Sequence, residues 1–438
     1  MKTFRKFNNK LPIKILKAKD EYLTLSKYGK VLDFTSGWTG FASLGHNNTN
    51  ILNAIKLQMK KFCHADYNEF INPKLEELSK KIINHCTYKN NKIWYSGNSG
   101  SEALEAAMKL SYSVHFSNKK EKKIKFLHRS QSFHGASLHP LSVSTIDIFD
   151  VFKNLKTRNI KINQNNIFTE YSSKTLMGLK KNETEKEHLE RNLKNLEDTI
   201  KKNNPDSICA MVGETQLGSL VGDVPPQKGY WKGVKKILRK YDIHLILDEI
   251  YCGMGRSGKL FNFEYDGVDP DFVCVGKNTT SGCIPFSFVL SKAKYQDIII
   301  NKIGRVSLGH TFQGHSLGVA ACIELINTIE KNKLMKRVNK ISSFITKTIN
   351  EELKNCEIYK NIRGRGFALA VEHNTKNNIE FSKELKRKML NDHKVLMNIK
   401  FHRTSMTPSF NMKMKNIENS LEIFIKNFKN LSKKYAKN

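Results

Sequence analysis

Between about residues 90 and 290 the chain keeps returning to one pattern, a short apolar run rich in branched residues followed by an amphipathic stretch. The runs are NKIWYSG, KIKFLHRS, SICAMVGE, IHLILDEI, DFVCVGK and FSFVLSK; stretches such as SEALEAAMKLSYSVHF and WKGVKKILRKY lie between them. Runs of this kind suit strands covered on both faces, and their alternation with helices predicts an α/β fold built on a mostly parallel sheet with helices on both sides.

Outside that stretch the pattern changes. Residues 151 to 205 are weaker in apolar content, and KKNETEKEHLERNLKNLEDTIKK reads as a solvated helix in a crossover. After about 316 one long helical stretch, LGVAACIELINTIEKNKLMKRVNKISSFITKTINEELK, leads into NIRGRGFALAVEH and further strand and helix signals. The expected division is a large ligand-binding domain over 51–325, a smaller α+β domain over 326–438, and an N-terminal segment, 1–50, packing with the smaller one.

Lysine and arginine (74) exceed aspartate and glutamate (41) by 33. The excess is spread along the whole chain, with no zinc finger and no RNA-binding aromatic signature, so a nucleic-acid function is not expected; a diffuse basic surface would favour anionic ligands. No apolar run reaches the length of a membrane span, and the N-terminus lacks a secretory h-region, which makes the cytoplasm the expected location. None of the eight cysteines forms a C-x-x-C pair, and several lie in apolar runs, so they read as buried reduced thiols and no metal site is expected.

The strand in HLILDEIYCGMGRSGKL ends in two adjacent acids, Asp248 and Glu249. A loop acid in water is the plain reading; the sharper one puts Asp248 against a cationic ligand group at the carboxyl end of a parallel strand. Lys277, in VCVGKNTTSGCIP, likewise follows an apolar run, 29 residues (277 − 248) further on, the length of one strand–connection–strand unit. A desolvated lysine there can lose its proton and attack a carbonyl. In WYSGNSGSEALEAAMKL a strand enters a Ser/Gly turn and then a helix. Ser99 and Glu102 have capping-box spacing, which leaves Gly100 and Ser101 to cradle a phosphate at the helix N-terminus. Phe133 and His134, in HRSQSFHGASLHPLSVS, follow another strand end, where the Phe ring can lie on a planar ligand. A phosphate, an aromatic ring, a ring cation and an aldehyde together fit pyridoxal 5′-phosphate.

With these blocks in place the chain resembles the class III aminotransferases, the ω-aminotransferase group of fold-type I enzymes. SGSEALEAAMK, FHGASLHPLSVS, LILDEIYCGMGRSGKLFNFEYDGVDPDFVCVGK and GHTFQGHSLGVAA carry the resemblance, in that order. It implies pyridoxal phosphate, a homodimer with shared active sites, and transfer of an amino group from an amine donor to a keto acid. Residue by residue it implies that Gly100 and Ser101 bind the cofactor phosphate, Phe133 and Ile250 flank the ring, and Asp248 pairs with the ring nitrogen. Lys277 is then the Schiff-base lysine and proton shuttle, Thr311 reaches the phosphate in the partner subunit, and Glu214 lies near cofactor and substrate. Thr215 and Tyr251 depart from the family's usual proline and glutamine. Arg403 is the nearest candidate for a substrate-carboxylate arginine, and Trp38 and Phe41 are candidates for the substrate wall. The implied donor carries its amine away from the α-carbon, with pyruvate or 2-oxoglutarate as acceptor. An aminomutase of the glutamate-1-semialdehyde type, and an inactive scaffold binding polyanions, are the alternatives.

Overall fold

The computed structural model describes residues 13–67, 69–89, 91–129, 131–144, 159–162, 180, 182–218 and 221–436. The chain opens with an antiparallel meander, β1 (Ile15–Lys19), β2 (Tyr22–Leu25) and β3 (Gly29–Asp33), followed by helices α1 (Thr49–Met59) and α2 (Pro73–His85). Then come β4 (Asn91–Gly97), α3 (Gly100–Ser117), β5 (Lys125–Arg129), α4 (Leu138–Ser142), β6 (Ile160–Ile162), α5 (Glu185–Lys202), β7 (Ile208–Glu214), α6 (Tyr230–Lys240), β8 (His244–Asp248), β9 (Phe272–Val275), β10 (Ser287–Lys292) and α7 (Ala293–Ile303).

The seven strands β4 to β10 form one sheet in the order β4-β10-β9-β8-β7-β5-β6. β10 runs against both of its neighbours, and the other four pairings are parallel. Each of the six apolar runs read from the sequence is one of these strands; β6 is the seventh. Alternation along β8 shows why both faces must be covered. Leu245 and Leu247 enter one core with Trp231 of α6, while Ile246 enters the other with Ala103, Ala107 and Val114 of α3. In the stretch 151–205, residues 151–158, 163–179 and 181 lie outside the described ones; α5 within it is a capped helix burying His188, Asn192, Leu196 and Ile200, one residue per turn.

The expected single long helix after 316 is two, α8 (Ser316–Lys331) and α9 (Leu334–Leu353). The chain turns at Asn332 and at Lys333, which takes a left-handed φ of +50° and ends the continuous helix. Beyond lie β11 (Tyr359–Arg365), β12 (Ala368–His373), α10 (Asn378–Arg387), β13 (Val395–Leu396), β14 (Asn398–Lys400), β15 (Arg403–Met406) and α11 (Met414–Tyr435). Strands β11, β12, β15 and β14 make an antiparallel sheet in that order, and β13 leaves it to pair in parallel with β3. All eight cysteines are free thiols; Cys63 is exposed, against the expectation of burial, because it lies in the irregular segment after α1. Among the described residues no helix is long and apolar enough to cross a membrane, and no cluster of ligating side chains could hold a metal ion.

Candidate active site

Five strands of the large sheet send their carboxyl ends to one place. There Gly100, Ser101, Phe133, His134, Glu214, Asp248, Ile250 and Lys277 line a single cavity of about 260 Å³, joined by Gln216, Gly218, Val221 and Tyr251. Open α/β sheets bind ligands at this edge because loops and helix N-termini converge on it.

The entrance of α3 is organised by a capping box. The Glu102 carboxylate accepts the Asn98 and Ser99 N–H groups, and the Ser99 hydroxyl accepts the Glu102 N–H. Those bonds occupy the outer donors. The amides of Gly100 and Ser101 are left for a ligand, at the positive end of an 18-residue helix. The Ser101 hydroxyl oxygen accepts the Ala136 N–H at 2.9 Å, so its own hydrogen is free to donate into the cavity. Position 100 has to be glycine, since a Cβ there would come within 2.7 Å of Ile250 Cδ1.

The two acids that close β8 part company. Asp248 faces the cavity: its Oδ2 accepts His134 Nδ1–H at 2.9 Å and its Oδ1 the Ile250 N–H at 3.0 Å. Glu249 turns the other way, fully buried, and accepts the N–H groups of Asn262 and Phe263. Burial pushes its carboxyl up to about 8, against those two bonds. Glu214 accepts the N–H groups of Phe133 and Gly218, and burial raises its pKa as well. Lys277 stands at a strained φ of +45°, and its ammonium has no hydrogen-bond acceptor among the described residues. Burial lowers its pKa; Asp248 and Glu214 pull the other way. A lysine so placed is set up as a nucleophile and base.

This donor set fits pyridoxal 5′-phosphate. Free helix amides and a hydroxyl suit the phosphate, Phe133 and Ile250 suit the two faces of a flat ring, a carboxylate backed by His134 suits the ring nitrogen, and an uncommitted lysine suits the aldehyde.

Four of the residues singled out in the sequence lie off the cavity lining. Thr311 is exposed on the loop after Leu308, its carbonyl bonded to His64 Nε2 at 2.6 Å. Trp38 sits in an irregular turn with the ammonium groups of Lys386 and Lys400 at 4.7 and 5.4 Å from its ring. Phe41 packs in the space left by Gly37 and Gly282. Arg403 is buried on β15 against the turn at Gly222. Conversely, the lining residues Gln216, Gly218 and Val221 carry no signal in GETQLGSLVGD that would mark them.

Comparison with known proteins points one way. A family model described as aminotransferase class-III matches residues 4–428. Vanillin aminotransferase of Capsicum chinense is 32% identical over 371 residues, 82% of this chain and 77% of that one. Adenosylmethionine-8-amino-7-oxononanoate aminotransferase of Staphylococcus aureus is 30% identical over 370 residues, with 82% and 78% covered. The PLP-bound aminotransferase mutant from Vibrio fluvialis superposes with a TM-score of 0.87 at 23% identity, covering 97% of this chain and 94% of that one.

Proposed function

From the premise that this chain belongs to the class III aminotransferases and is a pyridoxal phosphate-dependent transaminase of fold type I, we propose that its donor is an ω-amino acid or an amine and its acceptor a keto acid such as pyruvate or 2-oxoglutarate. What supports the transaminase chemistry is Lys277, with no acceptor among the described residues, in the same cavity as Asp248. The donor class is supported by relatives named for γ-aminobutyrate and vanillin, at 30% and 32% identity.

When bound, the cofactor supplies an aldehyde for the amine and a pyridinium ring that draws electrons from the amine-bearing carbon. The protein does the rest. Gly100 and Ser101 hold the phosphate through two amides and a hydroxyl. Phe133 and Ile250 would lie against the faces of the ring and hold its position. Asp248 Oδ1 and Oδ2, fixed by the Ile250 amide and His134, keep a proton on the ring nitrogen. Lys277 Nζ, its proton loosened by burial, would anchor the cofactor and, once the donor amine has displaced it, would be the free amine that takes the proton from the donor carbon. Glu214, its pKa raised by burial, would stand beside them and accept the Phe133 and Gly218 amides.

The working unit we propose is a homodimer with shared sites. Beside the exposed Thr311, the side chains of Phe70, Ile71 and Phe312 are 63%, 82% and 52% exposed, an apolar surface that a second copy would cover. Mixing Lys277→Ala with Thr311→Ala subunits should return some activity, because one site of the heterodimer then carries both lesions and the other neither. No recovery after verified exchange would count against shared sites. For the reaction itself, a panel of amines is offered with and without each keto acid and followed by cofactor absorbance. Turnover that requires the keto acid is expected; isomerisation without one would mark an aminomutase.

A further inference from the structure

Tyr251 is an aromatic side chain beside Lys277 whose position is imposed from outside the cavity. Its ring forms part of the cavity wall, and its centroid is 5.3 Å from Lys277 Nζ. Three contacts hold it. Its carbonyl accepts Asn278 Nδ2–H at 3.2 Å, one residue from Lys277. Its ring edge lies on Gly40, where a Cβ would come within 3.3 Å of Cε2. Its hydroxyl donates to Asp223 Oδ1 at 2.7 Å, while the other carboxylate oxygen accepts the Ser405 hydroxyl at 2.8 Å.

Asp223 is an unusual residue to find there. It is wholly buried, with a left-handed φ of +55°, next to Gly222 at +97°. Position 222 must be glycine because Arg363 and Arg403 press on it: a Cβ would lie 2.5 Å from Arg363 Nη2 and 2.7 Å from Arg403 Cδ. Burial pushes the Asp223 carboxyl up to about 6, although Tyr251, Ser405 and both arginines pull it down. Ser405 and the two arginines would engage the Asp223 carboxylate without Tyr251, and a phenylalanine would fill position 251, so charge pairing alone does not call for the phenol. Orientation does. A ring anchored at its hydroxyl cannot swing about its side-chain torsions, and the anchor is shared with β15 of the other sheet.

We propose that Asp223 is a positioning residue, which through Tyr251 fixes a flat wall beside Lys277 and thereby selects donors whose amine-bearing carbon carries a planar apolar substituent. The inference rests on the amine-donor reading above. Asp223 touches no reacting atom; its effect passes through one phenol.

The test uses the holoenzyme and two primary amines that share a CH2NH2 group, benzylamine and propylamine, followed in the half-reaction with the amine alone by cofactor absorbance. In Asp223→Asn and in Tyr251→Phe the preference for benzylamine over propylamine should fall about tenfold, and in Asp223→Asn the change should sit in the amine concentration giving half-maximal rate rather than in the maximal rate. The double variant should be no worse than either single one, as expected when two residues act as one unit. Titration of the apo-protein with pyridoxal phosphate, read by fluorescence, should give an affinity for Asp223→Asn within twofold of the original, which a general loosening of the fold would not. Equal losses for both amines, additive single effects, or an unchanged preference would overturn the proposal. A wild-type enzyme that reacts with neither amine but does react with γ-aminobutyrate in the same assay would overturn this inference alone; reaction with none of the three would overturn the donor reading with it.

Discussion

The two ends of the large sheet carry the same kinds of residue and treat them in opposite ways. At the amino-terminal ends, Lys123 is 2% exposed and donates to three carbonyls, of Pro205, Ile208 and Tyr241, at 3.0 to 3.2 Å. At the carboxyl ends Lys277 has no acceptor among the described residues. Burial lowers the pKa of both, yet only one has its hydrogens committed. The acids repeat the contrast. Asp271, just before β9, accepts from Lys235, the Leu245 amide and the Tyr295 hydroxyl. Burial pushes its carboxyl up, but Lys235 and His244 outweigh that and leave it below its ordinary value. Glu214, on the cavity wall, is held above its own. A saturated polar network ties strands and helices together; an unsaturated one at the same depth is held ready for a ligand.

The sharpest way to break this comparison is to exchange the two lysines' fates. Lys277→Met should lower turnover on the order of 10⁴-fold with little change in folding, whereas Lys123→Met should cost about 3 kcal/mol of stability and leave turnover within about twofold. Steady-state rates and urea unfolding decide between them, and a large rate loss from Lys123→Met would erase the distinction. Borohydride reduction followed by peptide mapping should place the cofactor on Lys277.

The pH dependence of the apo-protein should also carry both signs. Glu249 is raised from 4.5 to about 8, so its contribution is full below the unfolded value and is lost as pH rises through 8. Asp271 lies below 3.8, so its contribution is present above that value and is lost as pH falls further. Glu249→Gln should therefore flatten the alkaline side of the stability curve, by at most about 4 kcal/mol between pH 4.5 and 8, and Asp271→Asn the acid side. Unfolding midpoints from about pH 2 to about pH 9, a range that includes both windows, check the signs.

Next in size are the aspartates. Asp248→Asn keeps the shape and removes the charge, and turnover should fall about 10²-fold, the equivalent of ~2.7 kcal/mol of transition-state stabilisation. Asp271→Asn should cost about 2 kcal/mol of stability with turnover unchanged. The smallest effects separate the two capping boxes among the described residues, at Ser99 and Thr184. Ser99→Ala and Thr184→Ala should each cost about 1 kcal/mol. Only the first should weaken pyridoxal phosphate binding, by about threefold, because α3 alone points its free amides at the cavity.

The sequence shows one end of the sheet far better than the other. Asp248 and Lys277 could be picked out because each interrupts or follows an apolar run, and Ser99 and Glu102 because a capping box is local. Nothing comparable marks Lys123, whose three acceptors come from residues 205, 208 and 241. Asp223 reads as an ordinary turn residue in LVGDVPP; its partners Tyr251 and Ser405 are 28 and 182 positions away. The turn at Lys333 was hidden for a different reason, since the apolar period runs on through NKLMKRVNK and only the backbone changes.

The pairing of β13 with β3 has a consequence in time. Val395 and Leu396 sit beside Leu32 and Asp33, partners separated by 363 residues (395 − 32). At a synthesis rate of roughly 5–20 residues per second the meander at the start of the chain waits about 20 to 70 s for the strand that completes its sheet. During that wait the edge of β3 at Leu32 and Asp33 is open, whereas the other edge of the sheet, β1 with Ile15 and Leu16 at 64% and 66% exposed, stays open in the finished fold. The meander is thus completed only when the strand 363 residues further on has emerged, and the open β3 edge has to be shielded from neighbouring chains until then.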